Sequence, residues 1–147
     1  MGYTHYWRQY DGFNSNKWDQ IVDHSRSLRA AAYPTAKLAD IEMSDFQISF
    51  NGVAPQNHET FTLGRAMPPP NMPHASNYPN PKEHFFSFCK TAQKPYDLMV
   101  MCVLLVANDL EPDVITYATD GAESDWQPAV DLVKKVCDLD VSFNPED

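Results

Sequence analysis

The residues of this chain predict an α+β fold: a single sheet of about five strands, mixed or antiparallel, with helices packed mainly on one face. Three observations carry that expectation. Short runs alternate apolar and polar residues with the period of a half-buried strand. Two longer segments place apolar residues at helical spacing, and a third, Leu98 to Ala107, is apolar all round and so belongs at the centre. Interspersed along the chain, these segments give the order β-α-β-β-β-α-β-α. A chain of 147 residues is long enough for one domain that buries about two thirds of its unfolded surface without a disulfide or metal staple.

Tyr3 to Tyr10 mixes aromatic and polar residues in rough alternation and reads as a first strand ending at Asp11-Gly12. The helix after it has Asn14, Ser15 or Asn16 as cap and Asp19 in its first turn. Trp18, Ile21, Val22, Ser25, Leu28 and Ala32 form its stripe, and Pro34 ends it. Phe46, Ile48 and Phe50 alternate with polar residues up to Asn51-Gly52, and Thr60 to Leu63 alternates again before Gly64. The pair reads as a loose hairpin around a loop holding Pro55 and His58. The stretch 66–82 carries six prolines and reads as a surface loop, with Met67, Met72 and Tyr78 as handles for a lid. Phe85 to Lys90 is the next strand, and Pro95 falls in the first turn of the apolar helix. Val114 to Ala118 is a short strand before Thr119-Asp120-Gly121. Ser124-x-x-Gln127 resembles a capping box for the last helix, whose stripe is Trp126, Ala129, Val130, Val133, Val136 and Cys137. The expected domain spans 1–137, with a frayed acidic tail over 138–147.

Eleven basic against 20 acidic side chains give a formal charge of −9, which disfavours extended nucleic acid and anionic membrane surfaces at long range. A local group of cations can still hold one small anion. Cys89, Cys102 and Cys137 are odd in number and far apart, which argues against a disulfide framework and suits a reducing cytosol. The N-terminal residues lack an apolar export segment, and the longest apolar run is half the length of a membrane span.

The polar residues at element junctions supply the site candidates. Lys90, Thr91 and Lys94 precede the apolar helix, where free N–H groups and the positive end of the helix dipole suit a small anion. His5, His58 and Glu59 lie at comparable junctions, while Tyr96 and Trp126, with Tyr6 and Trp7, are candidates for stacking on a base or sugar. Cys89 beside Lys90, with His58 or His84 as base, is a thiol-hydrolase candidate, and Asp120 is the carboxylate to go with it. Against this, a strand cysteine is commonly a small buried hydrophobe. His5, His58 and His84 with Glu59 or Asp120 contain the right donor types for zinc. Yet His58-Glu59 has Thr62 where a second HExxH histidine belongs, so no metal and no cofactor is assigned.

GYTHYW at Gly2 to Trp7, FNG at Phe50 to Gly52 with ETF at Glu59 to Phe61, FCKTAQKPYD at Phe88 to Asp97, and Asp120-Gly121 with Trp126 carry a resemblance. Together they look like a group of small uncharacterised proteins encoded by tailed bacteriophages and prophages. The resemblance implies an accessory protein in the cytoplasm of an infected bacterium and transfers no catalytic residue. The expectation is a binding module that captures a small anionic, nucleotide-like ligand or inhibits a host protein, as in counter-defence. A small hydrolase with a Cys/His or metal-assisted site is the alternative. The residues leave homo-oligomerisation open.

Overall fold

The computed structural model describes residues 3–66 and 84–146. Its elements are β1 (Thr4–Gln9), α1 (Ser15–Ala32), β2 (Leu38–Met43), β3 (Gln47–Gly52), β4 (Phe61–Gly64), β5 (Phe85–Lys90), α2 (Asp97–Leu110), β6 (Ile115–Thr119) and α3 (Glu123–Cys137). The α+β class holds, but the single five-strand sheet does not. The strands form two antiparallel three-stranded sheets, ordered β5-β1-β6 and β2-β3-β4. Alternation identifies a strand without naming its partner, and β1, β5 and β6 are gathered from remote parts of the chain. The unexpected strand is β2, Leu-Ala-Asp-Ile-Glu-Met, whose period is broken by a register shift between Ala39 and Glu42 and by Asp40 at φ 54°.

Local chemistry sets the helix boundaries. Asn14 caps α1 by accepting from the N–H groups of Asn16 and Lys17; Asp19 lies beyond the first turn. Pro95 precedes α2 rather than opening it, because the chain first makes a tight turn through Lys94 and Asp97. In α3 the expected Ser124/Gln127 box does not form: the helix starts after Ala122, whose N–H is bound by the Asp125 carboxylate at 2.8 Å. Asp138 closes that helix in the left-handed region at φ 56°.

As its composition requires, α2 is central: every residue from Met99 to Ala107 is buried. Strand pairing places His5, Cys89 and Thr119 in one row, Trp7, Ser87 and Tyr117 in the next, and Gln9, Phe85 and Ile115 in a third. These rows face the core. Trp7 meets Phe61 of β4 at 5.1 Å between ring centroids, and Tyr117 stacks on Trp126 of α3 at 4.9 Å, so both sheets share one apolar interior.

The tail expected to fray is docked instead. Val141 is buried, Phe143 packs on Trp126 at 5.6 Å, and the Glu146 N–H donates to the Tyr117 carbonyl at 2.8 Å. It thereby covers the outer edge of β6, while the Glu59 N–H and carboxylate bind the Lys90 carbonyl and N–H at the edge of β5. The tail's apolar residues, Val141 and Phe143, outweigh its acidity here. Truncation after Asp140 is therefore expected to cost about 3 kcal/mol, read as a lower urea midpoint, where a frayed tail would leave the midpoint unchanged.

Candidate functional site

The solvent-side face of the β5-β1-β6 sheet has an unusual surface. Antiparallel pairing sets Tyr6 opposite Phe88 and Ala118, Arg8 opposite Phe86 and Thr116, and Thr4 opposite Lys90, all on the face turned away from the core. Tyr6 stacks on Phe86 at 6.1 Å with ring planes 24° apart, and Phe86 lies 6.4 Å from Phe88. Cations stand at both ends of this strip. Arg8 Cζ lies 5.6 Å from the Phe86 ring centroid, and Lys90 Nζ lies 5.9 Å from that of Phe88. An ion pair with Glu146 holds Arg8 in place. At the far corner Asp120 accepts from the Thr4 N–H at 3.1 Å and from the Tyr6 hydroxyl at 3.3 Å.

The other sheet shows what an ordinary solvent face looks like in this molecule. There the outward positions include Ser49 and Thr62, joined by a 3.1 Å hydrogen bond, with Gln47 bound to Glu42 nearby. Phe88, in contrast, is 45% exposed. Tyr6 and Phe86 beside it are half-buried, so aromatic rings rather than hydroxyls and amides make up this face.

Beneath the strip, on the core side, a buried polar chain ties the sheet to α2 and α3. Thr119 Oγ1 accepts from the Gly121 N–H at 2.9 Å and from Trp126 Nε1–H at 3.2 Å. With both lone pairs engaged, its proton goes to His5 Nδ1 at 2.8 Å. The ring proton therefore sits on Nε2 and is donated to Asp97 Oδ1 at 2.6 Å, where the Thr91 hydroxyl also donates at 2.5 Å. The order Asp–His–Thr is that of an acid–base triad, but Thr119 Oγ1 has no lone pair left for attack, and His5 is fully buried. The chain is a structural tie.

The residues singled out from the sequence divide accordingly. His5, Thr91 and Trp126 meet in the buried chain. Tyr96 is also buried, its hydroxyl donating to the Glu59 carbonyl at 2.5 Å. His58 is exposed, with Nδ1–H donating to the Lys90 carbonyl at 2.7 Å, and Glu59 binds the Lys90 N–H at 2.8 Å. Cys89 is buried and donates to the Glu59 carbonyl at 3.5 Å instead of to a histidine. Asp120 is engaged at the corner of the aromatic strip. At the expected anion cradle before α2 the N–H groups of Lys94, Asp97, Leu98 and Met99 bind carbonyls in successive turns, and the Asp97 carboxylate in the first helical turn is held by His5 and Thr91. Lys90 is exposed on the aromatic face, while Lys94 lies past the strand in the turn. Among the described residues no three histidine, cysteine or acidic side chains are placed to hold a metal ion. The Pro-rich loop, apart from Ala66, lies outside the described residues.

Burial drives the titration of the thiols upward. The Cys89 thiol is pushed from 9.0 up to about 12, mainly by desolvation, with the Glu59 and Asp97 charges adding to the shift. Desolvation also moves Cys137 up to about 11. Because the folded values exceed the unfolded ones, this contribution to stability is fully present below about pH 9 and is lost as pH rises toward 12. The urea midpoint is expected to fall between pH 9 and 11, less steeply in Cys89→Ala, and a thiol reagent at pH 8 should leave Cys89 unmodified in the native protein.

Phe86, Phe88 and Arg8 were not among the sequence candidates. The signal was the alternation in Phe-Phe-Ser-Phe-Cys-Lys, which points Ser87 and Cys89 inward and Phe86 and Phe88 outward, the reverse of ordinary patterning. Comparisons with protein-family models, curated proteins and solved structures found no match to this chain.

Proposed function

We propose that the protein is a binding module that captures a small anionic ligand of nucleotide type on the outer face of the β5-β1-β6 sheet. The observation that carries this reading is the aromatic strip Tyr6–Phe86–Phe88 bracketed by Arg8 and Lys90. Aromatic side chains offer a stacking surface to any base, and flanking cations meet the phosphates that such a base carries. The net charge of −9 repels a long polyanion, while the field within a few ångströms of Lys90 is set by that ammonium group, which favours a short ligand. In the phage setting implied by the sequence motifs, the module acts in the host bacterial cytoplasm, removing a nucleotide signal from circulation. Tyr, Phe and Arg are also the side chains that dominate protein interfaces, so capture of a host protein by the same face is the second reading.

The hydrolase alternative has less to support it. Its nucleophile would be a buried thiol raised to about 12, and its base, His58, is turned to a backbone carbonyl. Calorimetric titration with a panel of nucleoside phosphates and dinucleotides tests the proposal. Phe88→Ala and Lys90→Ala are each expected to weaken binding by about 1–3 kcal/mol, roughly five- to 150-fold, with an unchanged melting temperature. Lys94→Ala should leave affinity unchanged. No heat with any member of the panel overturns the small-ligand reading.

A further inference from the structure

Four large hydrophobic side chains stand exposed among the described residues: Phe46 at 78%, Tyr33 at 64%, Phe88 at 45% and Val53 at 43%. Phe88 belongs to the aromatic strip. Val53 lines a cleft of about 310 Å³ together with Pro34, Pro55 and Pro95, with Lys37 also in its wall, and Tyr33 directly precedes Pro34. Lys37 Nζ sits 6.0 Å from the Tyr33 ring centroid. The cleft is pre-shaped. Asn51 Oδ1 accepts from the N–H groups of Gly52 and His58, its Nδ2 donates to the His58 carbonyl, and the Gln56 N–H bonds the Val53 carbonyl.

Phe46 is the remaining one, carried on the β2–β3 turn directly after the exposed carboxylate of Asp45. That turn is equally rigid. Ser44 Oγ accepts from the Phe46 N–H at 3.2 Å, the Ser44 N–H bonds the Gln47 carbonyl at 3.0 Å, and the Arg65 N–H bonds the Phe46 carbonyl at 3.0 Å. A fixed aromatic knob beside a negative charge and a fixed apolar cleft beside a positive charge are complementary in shape and sign.

We propose that the cleft receives Phe46 of a second copy of this chain, with Asp45 set against Lys37. Knob and cleft lie at opposite ends of the β2–β3 hairpin, the knob on the turn and the cleft at the other end, so each copy offers one of each. Where two copies lie antiparallel, each knob fills the other's cleft and association closes at a dimer; in any other arrangement it continues into a ring or an open chain. It uses neither Tyr6, Phe86, Phe88, Arg8 nor Lys90 and is independent of the ligand reading.

Sedimentation velocity over a concentration series tests this. The wild-type chain is expected to self-associate, with species larger than the monomer growing in as concentration rises. Phe46→Glu removes the knob and Val53→Glu blocks the cleft, and each alone should be monomeric with a native near-ultraviolet circular dichroism spectrum. Mixed together, the two variants should form a one-to-one dimer and stop there, because only one intact knob faces one intact cleft. Lys37→Glu should weaken self-association and the added Asp45→Lys should restore it, which keeps the test open if Val53→Glu fails to fold. A monomeric wild type at every concentration, variants that associate like the wild type, or a charge swap that restores nothing overturns the proposal.

Discussion

Asp97→Ala is expected to destabilise the fold by about 3 kcal/mol, a drop of roughly 10 °C in melting temperature for a chain of this size. The Asp97 carboxylate accepts from His5 Nε2–H at 2.6 Å and from the Thr91 hydroxyl at 2.5 Å, and both donors are fully buried. Removing the acceptor leaves two donors without water to replace it, and each orphan costs about 1–3 kcal/mol. Thr91→Val alone removes one donor and should cost less. In Asp97→Ala/Thr91→Val the second orphan is gone, so the double variant should be more stable than the two single losses add up to. Urea melts of the four proteins give the coupling directly. Strict additivity would mean that the two donors find other partners.

Gly52→Ala is the second large effect, expected at about 3 kcal/mol by the same melts. A Cβ at this position would stand 2.1 Å from the Gln56 carbonyl oxygen and 3.0 Å from the Tyr96 ring. The obstacle is backbone, so the 53–60 loop itself has to move. That loop carries the Glu59 carbonyl that receives both Tyr96 Oη and Cys89 Sγ, and the His58-Glu59 pair that closes the edge of β5. Gly64→Ala is the control, since among the described residues its Cβ would meet only the Ala66 carbonyl oxygen at 3.4 Å, and it should cost well under half as much.

Much of the fold was legible because the signals are local. The stripe Trp18–Ile21–Val22–Ser25–Leu28–Ala32 proved to be the buried face of α1, residue for residue, and Asn14 proved to be its cap. The apolar run after Leu98 could only be central. What could not be read was pairing: nothing local in β1 says that its partners are β5 and β6, more than 75 residues downstream at every paired position. For the same reason Asp97 could be read as a helix-start residue but not as the acceptor for His5. Lys90 is a candidate cation from the sequence, whereas which face of β5 carries Phe86 and Phe88 is decided by its pairing with β1. The stacking candidates Trp7, Tyr96 and Trp126 are buried, and Tyr6 lies on the outer face.

The most direct test of ligand capture is native mass spectrometry of the protein recovered from a bacterial cytosol, beside a denatured sample and the double variant Phe86→Ala/Phe88→Ala. The wild type is expected to carry an added mass below about one kilodalton that is released on denaturation, as befits a ligand that fits one face of a small sheet. The double variant should be bare. An added mass retained by the double variant, or a bare wild type, would contradict capture on the aromatic face.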